Sequence, residues 1–254
     1  MMIDVSIIIV NYNTKQLLDD CINSIIKHTK DVTYEIIVVD NASSDGSVEF
    51  IKSKYESKVQ MISNPKNYGF GKANNIGEKA ADGKYIFLLN SDTVLLNDAI
   101  SKFFCVSEGK NNHCILGCYL QDAEGNYIHS FSNFQDRKHL FVRTLYLYFP
   151  WLLKIRKQST NNRIEPIEKK VDFITGADLF IRKADYDRLG GFDENFFMYC
   201  EDEDLCLRAS KLGIPCWVIT EPIIIHLEGK SSKVSSTKRK MITTSYQYFM
   251  RKNL

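Results

Sequence analysis

Short apolar runs of strand length alternate with helix-spaced apolar positions through the first part of the chain. Val5 to Val10 is an almost unbroken β-branched run, followed by Asn11-Tyr-Asn-Thr14 and then Leu17, Leu18, Cys21, Ile22, Ile25 and Ile26 on one helical face. Tyr34 to Val39 repeats the pattern and closes on Asp40-Asn41, after which Ser44-Asp45 can cap a helix carrying Val48, Ile51 and Tyr55. A third strand, Val59 to Ile62, leads through Asn64-Pro65 to the loop Asn67-Tyr-Gly-Phe-Gly-Lys-Ala-Asn74 and a small-residue helix reaching Ala81. The fourth, Tyr85 to Leu89, runs straight into Asn90-Ser-Asp92. Continuous rather than alternating apolar runs belong to strands covered on both faces, and repeated strand-helix units imply right-handed crossovers. Residues 1 to about 97 are therefore expected to form a Rossmann-like, nucleotide-binding α/β half on a mostly parallel sheet.

The pattern changes after that point. Ile115 to Tyr119 and Tyr127 to Ser130 flank Asp122-Ala-Glu-Gly-Asn126 and read as a strand pair joined by a turn. Phe131 to Lys170 is rich in aromatic and basic residues without a strand period. Val171 to Ile181 restores one strand signal, Lys183 to Leu189 predicts a helix stopped by Gly190-Gly191, and Glu201 to Leu212 a longer one closed by Gly213. Ile214 to Ile225 is strand-like and ends at His226, and residues 235–254 predict a basic C-terminal helix. The expected organisation is a single domain over 1–254, with an acceptor and catalytic half at 98–234.

Composition narrows the function classes. With 33 basic and 31 acidic residues the net charge is +2, which gives no global field for nucleic acid. The seven cysteines lack metal-type spacing and predict buried free thiols in a reducing compartment. Val5 to Val10 is too short for a signal peptide or a membrane span, so the expected location is cytoplasmic.

Polar groups recur at three strand ends: Asn11 and Asn13, Asp40 and Asn41, then Asn90, Ser91 and Asp92. In a parallel sheet these ends share one edge, the place where such sheets bind ligands. Taken singly, Asp40 and Asp92 could each cap the following helix, the one near Asn97 in the case of Asp92. Taken together they suit a nucleotide, and a carboxylate at Asp40 can accept the imide N–H of uracil or thymine, which adenine lacks. The glycine loop, with Asn67, Gly69, Lys72 and Asn74, offers backbone N–H groups at a helix start to an anion or sugar hydroxyls. Asp92 beside a diphosphate calls for a hard divalent cation, Mg2+ or Mn2+. Glu201-Asp-Glu-Asp204 opens a helix, where the dipole favours acids, yet it follows an aromatic run where acids are costly unless used. His226 reads as a packed core residue on its own, although the following Gly229-Lys230-Ser231 could close over phosphates.

These segments, together with Thr175-Gly-Ala177 and the Gly190-Gly-Phe-Asp193 run, resemble the family 2 glycosyltransferases of GT-A fold, in the rhamnosyltransferase-like branch. The matches run in order from Val5 to about Ser231. The resemblance implies that Asp40 reads the base of a UDP- or dTDP-sugar and that Asp92 is the final acid of a D-x-D metal element, with Asn90 in place of its first acid. It also implies that Asp202 is the catalytic base, supported by Glu201 and Asp204, that His226 joins the metal shell, and that Thr175, Gly176 and Ala177 line the acceptor side. An inverting sugar transfer to a glycan or lipid-linked acceptor follows, in bacterial surface polysaccharide synthesis. Two other classes compete. A sugar nucleotidyltransferase would want a Gly-rich, basic phosphate loop after the first strand, where this chain has Asn11-Tyr-Asn-Thr14. A non-catalytic carbohydrate-binding protein would tolerate loss of Asp92 and Asp202, and both are present. Aromatic and basic residues in 131–157 and in the C-terminal tail could rest on a membrane surface, or simply pack as an acceptor lid.

Overall fold

The computed structural model describes residues 2–110, 113–134, 165–227 and 236–253. Its first half runs β1 (Val5–Asn11), α1 (Lys15–His28), β2 (Tyr34–Asp40), α2 (Ser47–Tyr55), β3 (Val59–Ser63), α3 (Phe70–Glu78), β4 (Tyr85–Asn90), β5 (Thr93–Leu95) and α4 (Ala99–Gly109). The second half continues with β6 (Ile115–Cys118), β7 (Phe131–Ser132), β8 (Lys169–Val171), β9 (Phe173–Ile174), β10 (Asp178–Arg182), α5 (Lys183–Leu189), α6 (Glu201–Lys211), β11 (Cys216–Ile219), β12 (Ile224–His226) and α7 (Ser236–Asn253).

The central sheet has eight strands in the order β3-β2-β1-β4-β10-β6-β11-β8. Strands β3, β2, β1 and β4 are mutually parallel, as the strand-helix alternation requires, and β10 then enters antiparallel to β4. The apolar runs are buried for a reason visible in the sequence: Ile7, Ile8 and Ile9 are all at 0% exposure because one face meets helices α1 and α4 and the other α3. Each such side chain contributes about 1.5–3 kcal/mol when fully removed from water. On the first face Tyr85, Phe87, Phe103 and Phe180 form an aromatic stack, with Phe103 and Phe180 centroids 5.5 Å apart.

Several sequence expectations change here. Val171 to Ile181 falls across three strands, because the chain breaks at Asp172 and again at Thr175-Gly176-Ala177, where Asp202 accepts the Gly176 N–H. Tyr127 to Ser130 is not a strand; it is joined to the Ile115 strand by the Gln121–Tyr127 bridge and the Ile128 N–H on Leu120. Ile214 to Ile225 divides into β11 and β12, and β12 leaves the main sheet to pair with β5. The small-residue helix stops at Glu78, three residues before Ala81. Gly190 and Gly213 close their helices in the left-handed conformation, as expected. Six cysteines are buried free thiols, and Cys105 is exposed. Most of the aromatic and basic segment, and the Gly229-Lys230-Ser231 loop, lie outside the described residues. No described helix is long and apolar enough to cross a membrane.

Candidate active site

The parallel register sets Asn11 level with Asp40 and Val10 level with Asn90, so the three polar strand ends share one edge. Asn11 is fully buried, and its amide donates to Asp40 Oδ1 at 2.7 Å and Ser47 Oγ at 2.9 Å, while its oxygen accepts the Thr14 hydroxyl at 2.7 Å. Asn11 thus orients Asp40. The second Asp40 oxygen accepts the Ser43 N–H at 2.9 Å, and a carboxylate with two partners retains lone pairs for a ligand N–H. Asn13, at φ +57°, accepts the Ser44 N–H at 2.8 Å, tying the two loops together. Asp45 does the same from the other side: its carboxylate takes the Lys15 N–H at 2.9 Å and the Ser47 N–H at 3.1 Å, capping both helices.

The glycine loop is held by Asn67 and Asn41, which the sequence offered, and by the Phe197 carbonyl, which it did not. Asn67 Oδ1 accepts the Gly69 N–H at 2.9 Å, and Asn41 donates to the Gly69 carbonyl at 3.1 Å. Gly69 sits at φ +85°, with the Phe197 carbonyl where a side chain would begin, and the next N–H, of Phe70, donates to that carbonyl at 2.9 Å. Asn74 is buried and donates to the Phe70 carbonyl at 3.1 Å. Lys72 is paired at 2.7 Å with Glu194, both partly exposed, so a phosphate must compete with that carboxylate. Asn75 bolts the halves together: its oxygen accepts from Tyr186 Oη at 2.7 Å and from the Phe192 N–H at 2.9 Å, and its amide donates to the Phe192 carbonyl at 2.9 Å.

Asp92 does not cap the next helix. That helix begins at Ala99 and is capped by Asp98, which accepts the Ser101 N–H at 3.3 Å. Asp92 Oδ1 instead lies 3.0 Å from His226 Nε2, and the Asn90 amide lies 3.3 Å from the same nitrogen. The β5–β12 pairing makes this contact, setting Thr93 opposite His226, and the Leu227 N–H closes on the Asp92 carbonyl at 2.9 Å. The Ser91 hydroxyl meets that of Thr14 at 2.9 Å, joining this strand end to the Asn11 cluster. A divalent cation fits this pair: adjacent ligands of an octahedral ion with bonds near 2.1 Å lie about 3 Å apart, and carboxylate with imidazole suits Mn2+. The described residues hold no group of three or more His, Cys, Asp or Glu side chains that could hold a metal ion.

The acidic cluster divides by helical period. Asp202 is half-buried and lines a pocket of about 430 Å³ with His129, Thr175, Tyr199 and Ile242, among others. Its oxygens accept the Gly176 N–H at 3.1 Å and the Glu203 N–H at 2.8 Å. Burial raises its pKa above the usual carboxylate value, against the pull of those two N–H groups and of His129. Glu201 lines the same pocket, makes no hydrogen bond through Oε2, and is pushed up to about 8 by burial and by the charge of Asp202. Asp204 belongs elsewhere. It is fully buried, with Arg208 Nε at 2.8 Å, Lys252 Nζ at 2.8 Å and Asn253 Nδ2 at 3.1 Å, so it anchors α7 rather than facing the pocket.

Three residues couple the two carboxylate sites. Gly176 donates to Asp202, and the next carbonyl, that of Ala177, accepts the Asn90 N–H at 3.0 Å. Asp202 and the end of β4 are thus separated by about two residue lengths of chain. Thr175 lines the same pocket, its hydroxyl buried with no hydrogen-bond partner among the described residues, and the Phe70 ring occupies the space a Gly176 side chain would need. His129, Tyr199 and Ile242 were not legible as site residues, because only the fold brings them to Asp202.

The polar strand edge and the pocket that Asp202 lines adjoin through Gly176 and Ala177, and the glycosyl transferase family 2 model matches residues 6–188. The chain belongs to that family. It is 28% identical over 98% of its length, and 94% of the relative's, to the rhamnosyltransferase WbbL of Escherichia coli. It is 26% identical to the N-acetylglucosaminyl-diphospho-decaprenol L-rhamnosyltransferase of Mycobacterium tuberculosis, over 78% of this chain and 67% of that one. The dTDP-rhamnosyl transferase RfbF of Shigella flexneri is 26% identical over 89% of this chain and 69% of its own. The fold is GT-A: GalNAc-T7 with UDP, GalNAc and Mn2+ superposes at a TM-score of 0.70 and 16% identity over 98% of this chain. This chain spans 48% of that structure. The mannosyltransferase PcManGT of Pyrobaculum calidifontis, in complex with GDP-Man and Mn2+, superposes at 0.66 and 14% identity over all of this chain and 66% of its own. This family 2 member is a glycosyltransferase.

Proposed function

We propose that the enzyme transfers a rhamnosyl group, or a related hexosyl group, from a dTDP- or UDP-sugar to a hydroxyl of a glycan or lipid-linked acceptor, with inversion at the anomeric carbon. The setting is bacterial surface polysaccharide synthesis, at the cytoplasmic face of the membrane. The observation that carries this reading is the Asp202 carboxylate, held by the Gly176 N–H in a pocket whose adjoining residue hydrogen-bonds the end of β4.

Asp40, oriented by Asn11, accepts the imide N–H of the uracil or thymine base. Asn13, Ser91 and the Asn67–Asn74 loop hold the ribose and diphosphate. Asp92 and His226 would hold Mg2+ or Mn2+, which when bound offsets the charge developing on the departing diphosphate. Asp202 takes the acceptor proton as the acceptor oxygen bonds to the anomeric carbon; the carbon–oxygen bond to the diphosphate breaks, and its electron pair leaves with the nucleotide. Burial, and the charge of Asp202 beside it, push the Glu201 carboxyl up to about 8, so that it holds its proton near neutral pH. A carboxylate whose pKa is raised is a stronger base than a solvated one, which is what proton abstraction from a hydroxyl needs.

The test is nucleoside diphosphate release from a panel of dTDP- and UDP-sugars, with a synthetic N-acetylglucosaminyl diphosphoryl lipid as acceptor and with or without Mn2+. Acceptor-dependent release from dTDP-rhamnose that disappears in Asp202→Asn, with donor binding retained, supports the reading. Normal turnover by that variant removes Asp202 as the base.

A further inference from the structure

The C-terminal helix enters the site in a way its sequence does not announce. Its second half is pinned to the chain just before the catalytic helix. The Ser245 hydroxyl donates to the Met198 carbonyl at 2.7 Å, Tyr248 Oη donates to Asp193 at 2.9 Å, and Lys252 reaches Asp193 at 2.7 Å and Asp204 at 2.8 Å. Tyr246 and Phe249 are buried against Phe196 and Cys200, and the Tyr248 ring meets Phe196 edge-on at 4.8 Å.

What this half holds is strained. Tyr199 and Cys200 lie consecutively in the left-handed region, at φ +74° and +67°, directly before Glu201. Such a backbone is unfavourable for a residue that carries a β-carbon and persists only where the surroundings over-determine it. The first half of the helix is mostly exposed on its outer side, yet Ile242 lines the pocket of about 430 Å³ with Asp202, Thr175 and Tyr199. That volume lies in the range of small-molecule sites. Lys238, one turn earlier, stands 5.9 Å from the centre of the Tyr199 ring.

We infer that the C-terminal helix is the outer wall of the acceptor site, held there by its Ser245–Lys252 half, with Ile242 a specificity-determining residue for the acceptor. The inference rests on the reading of the Asp202 pocket as the acceptor side, and adds to it a wall built from the other end of the chain. Ile242 adds an apolar surface to the pocket that the carboxylate lines, a combination that suits the apolar face of a sugar ring whose hydroxyl meets the base.

The experiment compares wild type with Ile242→Trp, Ile242→Ala and Asp202→Asn. It reads donor binding by dTDP titration, donor hydrolysis to water, and transfer to the N-acetylglucosaminyl diphosphoryl lipid probe. Filling the pocket with Trp is expected to raise the acceptor KM by at least about ten-fold, with dTDP affinity and hydrolysis within about two-fold of wild type. Ile242→Ala, which cannot overpack the site, is expected to raise acceptor KM several-fold, with kcat little changed. An unchanged acceptor KM in both Ile242 variants, with both folded by their melting curves, would overturn the assignment of the wall while leaving Asp202 in place. Normal transfer by Asp202→Asn overturns both readings together.

Discussion

Asp178 offers the most quantitative test of the structure. It sits in β10 at 0% exposure, one oxygen accepting the Cys118 N–H at 2.6 Å and the other without a hydrogen-bond partner. Burial pushes its pKa from the ordinary 3.8 up to about 7, against the pull of the Cys118 N–H and the nearby His226. Below pH 3.8 both folded and unfolded states carry the proton and nothing is lost. As pH rises from there towards 7 the unfolded chain ionises first, so the folded state loses stability through that window, and above it the loss is constant. A carboxyl raised this far costs the fold about 4 kcal/mol at pH 8. Asparagine has the shape of the protonated acid, keeps an acceptor for Cys118 and cannot ionise. Asp178→Asn is therefore expected to stabilise the metal-free protein by about 2–4 kcal/mol at pH 8, raising Tm by roughly 5–12 °C, and to be nearly neutral at pH 4. Thermal unfolding by circular dichroism in EDTA, at a series of pH values, reads the difference. A variant that melts earlier than wild type at pH 8, or by the same interval at every pH, would refute the reasoning and show Asp178 to be ionised and paired in the fold.

Other outcomes follow from the same geometry. Asp202→Asn should lower kcat by roughly 10²–10⁴ with Tm unchanged or raised, whereas Asp204→Asn should leave the chemistry nearly intact and cost about 3 kcal/mol, since Arg208 and Lys252 lose their buried partner; steady-state rates and urea midpoints on the two variants separate the roles. Gly69→Ala should destabilise by more than about 2 kcal/mol and weaken dTDP binding, because a left-handed backbone and the Phe197 carbonyl both oppose a side chain; isothermal titration checks the second effect. Asn75→Ala strips the Tyr186 and Phe192 contacts between the halves and should cost about 3 kcal/mol, measured by urea unfolding. Chelation should abolish transfer, with Mn2+ restoring it to wild type but poorly to His226→Ala.

The first half was legible because its signals are local. A continuous β-branched run can only be a doubly covered strand, and the polar residue that ends it falls on the ligand edge without further information. The second half was legible in its helices, where Gly190 and Gly213 mark the stops, and less so in its strands. Val171 to Ile181 has the composition of one strand, and the group that breaks it, Asp202, is a neighbour only in space. The two bolts between halves were hidden for the same reason: Asn75 and Gly69 find their partners near residues 192 and 197. The acidic run shows what periodicity alone can deliver. At about 100° per residue, Asp202 and Asp204 point some 200° apart, so one acid can serve a pocket while the other serves packing. Asp204 is taken up by Arg208, Lys252 and Asn253, and Asp202 is left to the pocket.

The distribution of strain supports the same assignment without reference to any relative. Of the five non-glycine residues with positive φ among the described residues, Asn13 and Ala42 lie in the loops after β1 and β2, and Tyr199 and Cys200 immediately precede Glu201. Left-handed conformations in β-carbon-bearing residues are unfavourable, so each must be held by its surroundings. Here the holders are themselves site-building contacts: the Asn13–Ser44 bond, the Asp40–Ser43 bond and the Ser245–Met198 bond. Strain placed after β1 and β2 and directly before Glu201, and fixed by bonds present without any ligand, means that the cost of orienting Asp40 and Asp202 is met during folding. Under the proposed function, binding energy from the donor and acceptor is then free to act on the transition state rather than on assembling the carboxylates.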